Sequence, residues 1–155
     1  MTKLYDEPSA IKLHGRYIVR LYGPDDELKQ EIIGKNVVAT NGKEWLASLL
    51  YSCALAAATN TAKYIAIGSD STTEAATNTA LGTETSRHTG TVSYVSNQIV
   101  QITATFATGS GTGNVYEYGL LTSSTGGTLI SRDTEALISK GANDKLTVTY
   151  QLTLS

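Results

Sequence analysis

Alternation of apolar and polar residues is the main pattern along this chain, and it is typical of half-buried β-strands. The alternation is most regular in residues 146–154, where apolar side chains are interleaved with Thr and Gln. Residues 11–21 and 99–106 alternate in the same way. Further strands are predicted at residues 28–39, 63–68, 92–95, 115–122 and 128–132. About eight strands joined by short turns predict a mainly β protein.

One segment has helical spacing instead. Its apolar residues recur along a single stripe made up of Trp45, Leu46, Leu49, Leu50 and Cys53. Asn41 and Glu44 have the spacing of a capping box at the start of this stripe. We therefore expect one short α-helix at about residues 42–57, packed through its stripe onto a sheet.

Three segments interrupt the regular pattern. Residues 69–87 are rich in Thr and Asn and lack periodicity, which predicts a long loop that is either functional or ordered by a partner. Gly34 lies inside a predicted strand and indicates a bulge. Residues 1–9 are polar and include Pro8, as expected of a frayed terminus or of an arm that reaches a neighbouring subunit.

These elements predict the fold class. Many strands with hairpin-length connections and a single helix favour an antiparallel β-sandwich or a jelly-roll-like fold. We find no internal repeat and no linker, so residues 1–155 are expected to form one domain with residues 1–9 as an N-terminal arm.

The composition excludes several classes of protein. Hydrophobic residues make up 41% of the chain, charged residues 17%, and the net charge is −2. This balance argues against a disordered chain and against a nucleic-acid binder that depends on phosphate contacts. No apolar run is long enough to span a membrane. The first residues, MTKLYDEPSA, lack the apolar core of a signal peptide, so we expect the chain to fold in a cytoplasm-like compartment.

Two further compositional features concern the surface. Thr, Ser, Gly and Ala dominate residues 54–127, either as the exposed faces of strands or as a surface that neighbours cover in an assembly. The chain has nine tyrosines, and Tyr94, Tyr116 and Tyr118 fall on adjacent predicted strands. Tyrosine is common both in cores and at protein interfaces, so these three are candidate interface aromatics.

Two carboxylates could in principle form a glycosidase pair, Glu84 and Glu117. Glu84, however, has the i, i+3 spacing to Arg87 that favours a local ion pair if the chain turns helically there. Glu117 lies inside a predicted strand, where pairing with a cation or capping of a neighbouring loop is the simpler role. We therefore interpret Glu84, Arg87 and Glu117 as structural ion-pair or partner-contact residues and predict no enzymatic activity.

No other residues have the context of a catalytic or cofactor site. His14 and His88 lack the sequence surroundings of a catalytic triad. Asp70, Ser71 and Glu74 offer oxygen ligands, but their spacing does not match a calcium-binding EF-hand loop. The single cysteine, Cys53, excludes an intrachain disulfide and a cysteine-based zinc site. We predict no catalytic residue, no metal and no cofactor.

Four stretches taken together resemble a pattern in the structural proteins of tailed bacteriophages. They are KNVVATNGKEWLASLL around residues 36–50, YIAIGSDSTTEAATNTALGTETSR (64–87), YEYGLLTSSTGGTLISRD (116–133) and the terminal KLTVTYQLTL. The resemblance covers about residues 36–155, and it is carried by the order and spacing of the stretches.

The resemblance implies a virion structural protein without enzymatic activity. It implies that Glu84, Arg87, Glu117 and Gly119 are shared structural positions. A small, Thr-rich sandwich with a polar arm fits a capsid decoration (cement) protein, assembled in the host cytoplasm and bound to the major capsid protein or other virion proteins. Such a protein is expected to be a homo-oligomer, with a trimer favoured, and to bind neither nucleic acid nor membrane. The alternative is a tail or tail-fibre component that binds a host receptor or glycan.

Overall fold

The computed structural model describes residues 13–46, 62–96 and 99–154, in which nine β-strands are present. All pairings between neighbouring strands are antiparallel. The prediction of a mainly β, antiparallel sandwich with one short helix is therefore confirmed. In chain order the strands are β1 (Leu13–Tyr22), β2 (Leu28–Val38), β3 (Tyr64–Gly68), β4 (Glu84–Thr89), β5 (Thr91–Ser96), β6 (Ile99–Phe106), β7 (Gly113–Leu121), β8 (Leu129–Lys140) and β9 (Lys145–Leu154).

The strands follow the order β4-β3-β7-β8-β2-β1-β9-β6-β5 in one sheet that folds back on itself and nearly closes. The first layer contains β2, β1, β9, β6 and β5, and the second contains β8, β7, β3 and β4. β2 joins the two layers, because most of it pairs with β1 whereas Val37 and Val38 pair with β8. At the opposite side only Gly90 separates β4 from β5, so the chain passes directly from one layer to the other.

Apolar side chains from both layers fill the space between them. In the first layer Val19 lies opposite Val148, and Leu21 lies opposite Leu146. The alternation seen in the sequence places these residues on the inner face, because successive strand side chains point to opposite sides. The other buried residues of this core are Tyr17, Ile65, Ile67, Ile102, Ala104, Phe106, Val115, Tyr118, Leu120, Ile130, Ile138 and Tyr150.

The second layer contains more strand than the sequence pattern predicts. Residues 84–89, which the sequence assigns largely to the long loop, form β4 against β3. The strand predicted at residues 128–132 extends as β8 to Lys140. Asp133 and Glu135 obscure the apolar alternation there, yet the backbone continues to pair with β7 as far as Lys140.

The bulge predicted at Gly34 is wrong. Gly34 lies opposite Tyr17 in continuous register, and the irregularity between β1 and β2 is located between Leu21 and Tyr22. The absence of a side chain at Gly34 serves a different purpose, since an added Cβ would collide with the hydroxyl of Tyr17. Gly34 is therefore a close-approach position for a buried aromatic ring.

The helix begins earlier than the sequence indicates. Residues 40–46 are helical, and the rest of the predicted helix at 47–57 lies outside the described residues. The first hydrogen bonds run from the N–H groups of Gly42 and Lys43 to the carbonyl of Ala39, so Asn41 lies inside the helix and does not cap it. The N–H groups of Ala39 and Thr40 donate to the carbonyls of Ile130 and Ala76, so backbone acceptors outside the helix satisfy two of the donors at its start. Trp45 packs against the main core, as the apolar stripe predicts.

Candidate functional site

Residues 69–83, here called the covering loop, lie against the outer face of the second layer. Leu81 of this loop packs with Ala66, Leu121 and Leu129 in a second, smaller apolar cluster. These three strand residues point away from the main core, because they alternate with its members along β3, β7 and β8. Around these residues the second layer is buried on both faces, by the first layer on one side and by the covering loop on the other.

The carboxylate of Glu117 on β7 is completely buried and binds the backbone of the covering loop. Its Oε2 accepts a hydrogen bond from the N–H of Gly82 at 2.8 Å, and its Oε1 accepts one from the N–H of Thr83 at 2.7 Å. Arg132 Nε donates to Oε2 at 2.9 Å. The carboxylate therefore has a partner at both oxygens and is not exposed to solvent.

Arg132 extends this network across the covering loop. Its Nη1 donates to the carbonyl of Thr72 and to Oδ1 of Asn78, each at 3.2 Å, and its Nη2 donates to Oδ2 of Asp70 at 3.0 Å. Hydrogen bonds from the backbone and hydroxyl of Thr72, together with Arg132, hold the pKa of Asp70 below its usual value. One guanidinium thus joins the strand carboxylate Glu117 to three separate points of the loop.

Glu84 and Arg87 form a second ion pair, which holds the β7–β8 connection. Arg87 donates to both carboxylate oxygens of Glu84 at 2.9 and 2.6 Å. Its Nη1 also donates to the carbonyls of Ser123 and Gly126 at 2.8 and 2.7 Å. The pair forms on a strand and not on the helical turn that the sequence spacing favours. An irregularity in the β3–β4 register at Thr85 offsets the alternation, so that both side chains reach the same side.

The three candidate interface tyrosines occupy different environments. Tyr118 is fully buried, and its ring stacks on Tyr17 with centroids 6.1 Å apart, so it belongs to the core and not to a partner surface. Tyr116 is half-buried. The backbone of Tyr94 pairs with Val100 in β6, and its side chain lies outside the described part of the structure.

A group of polar side chains lies inside the sandwich, which the sequence pattern does not reveal. The hydroxyls of Tyr17, Tyr118 and Tyr150, Oγ of Ser131 and Oδ2 of Asp133 are buried without a hydrogen-bond partner of standard geometry among the described residues. Burial raises the pKa of Asp133 to about 7. The signal in the sequence is weak: Ser131 and Asp133 alternate with Arg132 on a strand whose inner face also holds Ile130 and Ile138.

The two histidines lie in different environments within residues 13–46, 62–96 and 99–154. His88 shares a hydrogen bond of 2.8 Å with Ser110, and its ring packs against Phe106. Ser110 is also within 3.2 Å of Ser86. No carboxylate contacts His88 in this part of the chain, so the Ser–His pair lacks the acid that orients the base in a triad. His14 is exposed on β1.

The acidic residues of the covering loop bind protein groups. Asp70 is engaged by Thr72 and Arg132, and Oε2 of Glu74 accepts a hydrogen bond from the hydroxyl of Thr134 at 2.5 Å. No group of three or more His, Cys, Asp or Glu side chains in the described residues is arranged to hold a metal ion. Nor does any helix in the described ranges have the length and apolar character needed to cross a membrane.

The exposed apolar residues include two on β5, at the end of the sheet order. Val92 and Val95 are 51% and 54% exposed, and Thr91 and Ser93 beside them are exposed as well. The strand carries no charged residue and no proline along Thr91–Ser96. Two of the features by which soluble proteins protect the edge of a sheet, charged side chains and proline, are therefore missing from β5, although its pairing with β6 has an irregularity between Tyr94 and Ser96.

Comparison with known proteins gives no relative for this chain. No family model, no curated protein and no solved structure matches it.

Proposed function

We propose that this protein is a non-enzymatic structural component of a phage particle, and that it decorates the outside of the head as a cement protein. The likeness of about residues 36–155 to the pattern of tailed-phage structural proteins supports this proposal. We infer that its partners are the major capsid protein or other virion proteins, that it acts as a trimer or another homo-oligomer, and that it is located in the virion.

The observation that carries the assembly role is the edge of β5. Among the described residues β5 pairs only with β6, so this uncharged strand with its two half-exposed valines offers backbone groups and apolar surface to a neighbouring chain. In a free monomer such an edge favours uncontrolled association. In an assembly it is covered, and the apolar contact then contributes to binding.

The arrangement of the carboxylates supports a role without catalysis. Glu84 is held by Arg87, and Glu117 is buried beneath the covering loop with both oxygens bonded. A glycosidase needs one carboxylic acid and one carboxylate that both reach the substrate. These two glutamates instead fix a loop and a hairpin, as expected of structural positions.

The copy number per particle separates head decoration from a tail location. Purified particles are resolved on a denaturing gel, and the band of this protein is compared with that of the major capsid protein. A copy number comparable to that of the major capsid protein is expected for a decoration protein. A copy number that is a small fraction of it would contradict decoration and indicate a tail component.

The role of β5 is tested by Val92→Lys and Val95→Lys, made in the full chain and added to particles that lack the protein. We expect loss of particle binding with an unchanged far-UV circular dichroism spectrum. Leu28→Lys is the matched control, because Leu28 is 53% exposed on β2 in a different part of the surface. Equal binding by all three variants would show that β5 is not the contact.

A further inference from the structure

The side chains of His88, Ser110 and Ser86 meet beside β4. Nε2 of His88 and Oγ of Ser110 lie 2.8 Å apart, and Oγ of Ser86 lies 3.2 Å from Oγ of Ser110. All three residues are half-buried. They belong neither to the network of the covering loop nor to the edge of β5, and they form a separate cluster.

His88 and Ser86 project from the same side of β4. Their partners on β3 are Ile65 and Ile67, and both isoleucines belong to the main core. Residues directly opposite each other in an antiparallel pair project to the same face of the sheet. The imidazole and the hydroxyl therefore both point inwards, and they approach Ser110 from one face of β4.

Ser110 is held in a tight turn between β6 and β7. Its N–H donates to the carbonyl of Ala107 at 3.1 Å, and Gly109 has a φ of 79°, as in a type II turn. The N–H of Gly109 donates to the carbonyl of Ala142 at 2.8 Å, which attaches the turn to the β8–β9 connection. A Cβ added at Gly111 would collide with a side chain of β3, so the chain after Ser110 lies directly against the second layer. The turn thus fixes the position of the Ser110 hydroxyl.

His88 is oriented by aromatic packing. Its ring lies against that of Phe106, with the two centroids 4.7 Å apart, and Phe106 is fully buried in the main core. In a catalytic triad a carboxylate holds the imidazole in place for proton transfer. Here the contact with Phe106 restricts rotation of the ring and keeps Nε2 directed at Ser110.

We infer that Ser110 is a reactive nucleophile that takes an acyl or phosphoryl group from an activated donor, with His88 as its base. A serine hydroxyl is a weak nucleophile unless a base lies within hydrogen-bond reach, which is where Nε2 of His88 stands. Ser86 donates to Oγ of Ser110, which leaves the proton of Ser110 for His88.

The transfer has one bond formed and one broken. Oγ of Ser110 bonds to the carbonyl carbon or the phosphorus of the donor while its proton passes to Nε2 of His88. The bond to the leaving group then breaks, and the leaving group takes the proton from Nε2. One group is transferred per chain, so the inference requires no turnover and does not depend on the chain being a virion protein.

The test is incubation of the full chain with diisopropyl fluorophosphate, followed by intact-mass spectrometry and peptide mapping. We expect one diisopropylphosphoryl group per chain, carried by Ser110, with release of fluoride. Other serines are the internal control, because Ser93 and Ser139 are more exposed than Ser110. If these serines react first, or if the label follows exposure along the chain, the assignment is overturned.

Variants of His88 separate the base from the packing. His88→Gln removes both the base and the ring, whereas His88→Phe removes the base and keeps an aromatic ring against Phe106. The rate of labelling at Ser110 should fall by about a hundredfold or more in each, as expected for the loss of a general base. His14→Gln is the matched control, because His14 is exposed on β1, and it should be labelled at the native rate.

Far-UV circular dichroism and thermal unfolding show whether each variant is folded. The mapping in the native chain decides the position of the label even if a His88 variant is unfolded. A native labelling rate at Ser110 in a folded His88 variant would contradict the role of His88 as the base.

Discussion

Arg132 donates a hydrogen bond from Nε to Oε2 of Glu117 across 2.9 Å, and both side chains are almost completely buried. Loss of one partner would leave the other charge buried and uncompensated. The pair also connects the sheet to the covering loop. Glu117 and Arg132 belong to the adjacent strands β7 and β8, and their other hydrogen bonds reach the loop. The stability of the sandwich and the order of the loop are therefore coupled.

The first prediction concerns this pair. Arg132→Met should lower the free energy of unfolding by about 3–5 kcal/mol, because it leaves the Glu117 carboxylate without its cation. Glu117→Gln should also lower the free energy of unfolding. Urea denaturation measures the loss, and amide hydrogen exchange in residues 69–83 should quicken at the same time.

The control for the first prediction is the exposed pair between Arg20 and Glu31, with side chains that are 41% and 36% exposed. Arg20→Gln should cost less than about 1 kcal/mol, since solvent screens the interaction. In the double variant of Arg132→Met with Glu117→Gln, the loss should be smaller than the sum of the two single losses. Additive losses would contradict a direct coupling between these residues.

The sequence predicts the first layer better than the second for a physical reason. In β9, Leu146, Val148 and Tyr150 face one shared core, so burial on one side imposes a simple period of two. In β8 both faces are buried over residues 129–133, one against the main core and one beneath the covering loop. Polar residues such as Asp133 occur on the inner face, and Arg132 is buried on the outer one. Alternation then no longer separates inside from outside.

The two ion-pair networks, at the covering loop and at the β7–β8 connection, were only partly predictable. The three-residue spacing of Glu84 and Arg87 indicates their pairing, although the backbone that brings them together is a strand with an irregular register. Arg132 binds groups 54 to 62 residues away in the chain, and no local pattern identifies such partners. Glu117 is recognisable as a residue that needs a partner, because an ionised carboxylate is rarely buried in a strand without one.

The second prediction concerns the contact between Gly119 and Leu81. A Cβ added at Gly119 would collide with Cδ1 of Leu81, so Gly119→Ala should displace this side chain and destabilise the protein by about 1–3 kcal/mol. Leu81→Ala removes the colliding atoms. Gly119→Ala should therefore cost much less in the Leu81→Ala background than in the native chain, as measured by thermal unfolding. An equal cost in both backgrounds would show that Leu81 is not the obstacle.

The third prediction compares the two members of the Glu84–Arg87 pair. Arg87→Gln should destabilise the protein more than Glu84→Gln, because Arg87 also binds the carbonyls of Ser123 and Gly126. The difference should be about 1.5–3 kcal/mol, the contribution of a hydrogen bond from a charged donor. Proteolysis within residues 122–128 should increase only for Arg87→Gln. Equal effects of the two substitutions on unfolding and cleavage would indicate that the ion pair alone matters.

The fourth prediction concerns the pH dependence that arises from Asp133, which is 2% exposed. Burial raises its pKa in the folded chain to about 7, whereas an unfolded Asp titrates near about 3.9. Between these values the folded chain holds a proton that the unfolded chain has released. The contribution of Asp133 to stability must therefore fall as the pH rises from about 4 to about 7, and it is constant outside this range.

Asp133→Asn tests this dependence, because the amide has nearly the same shape and does not ionise. The total contribution of Asp133 to the free energy of unfolding is at most about 4 kcal/mol, from the difference between its pKa values in the folded and unfolded chains. Compared with the native chain, Asp133→Asn should be more stable at pH 8, and its advantage should shrink as the pH falls to 4. Asp25→Asn, in the exposed turn between β1 and β2, is the control and should leave the profile unchanged. If Asp133→Asn and the native chain lose stability in parallel over this interval, Asp133 is already ionised in the folded protein.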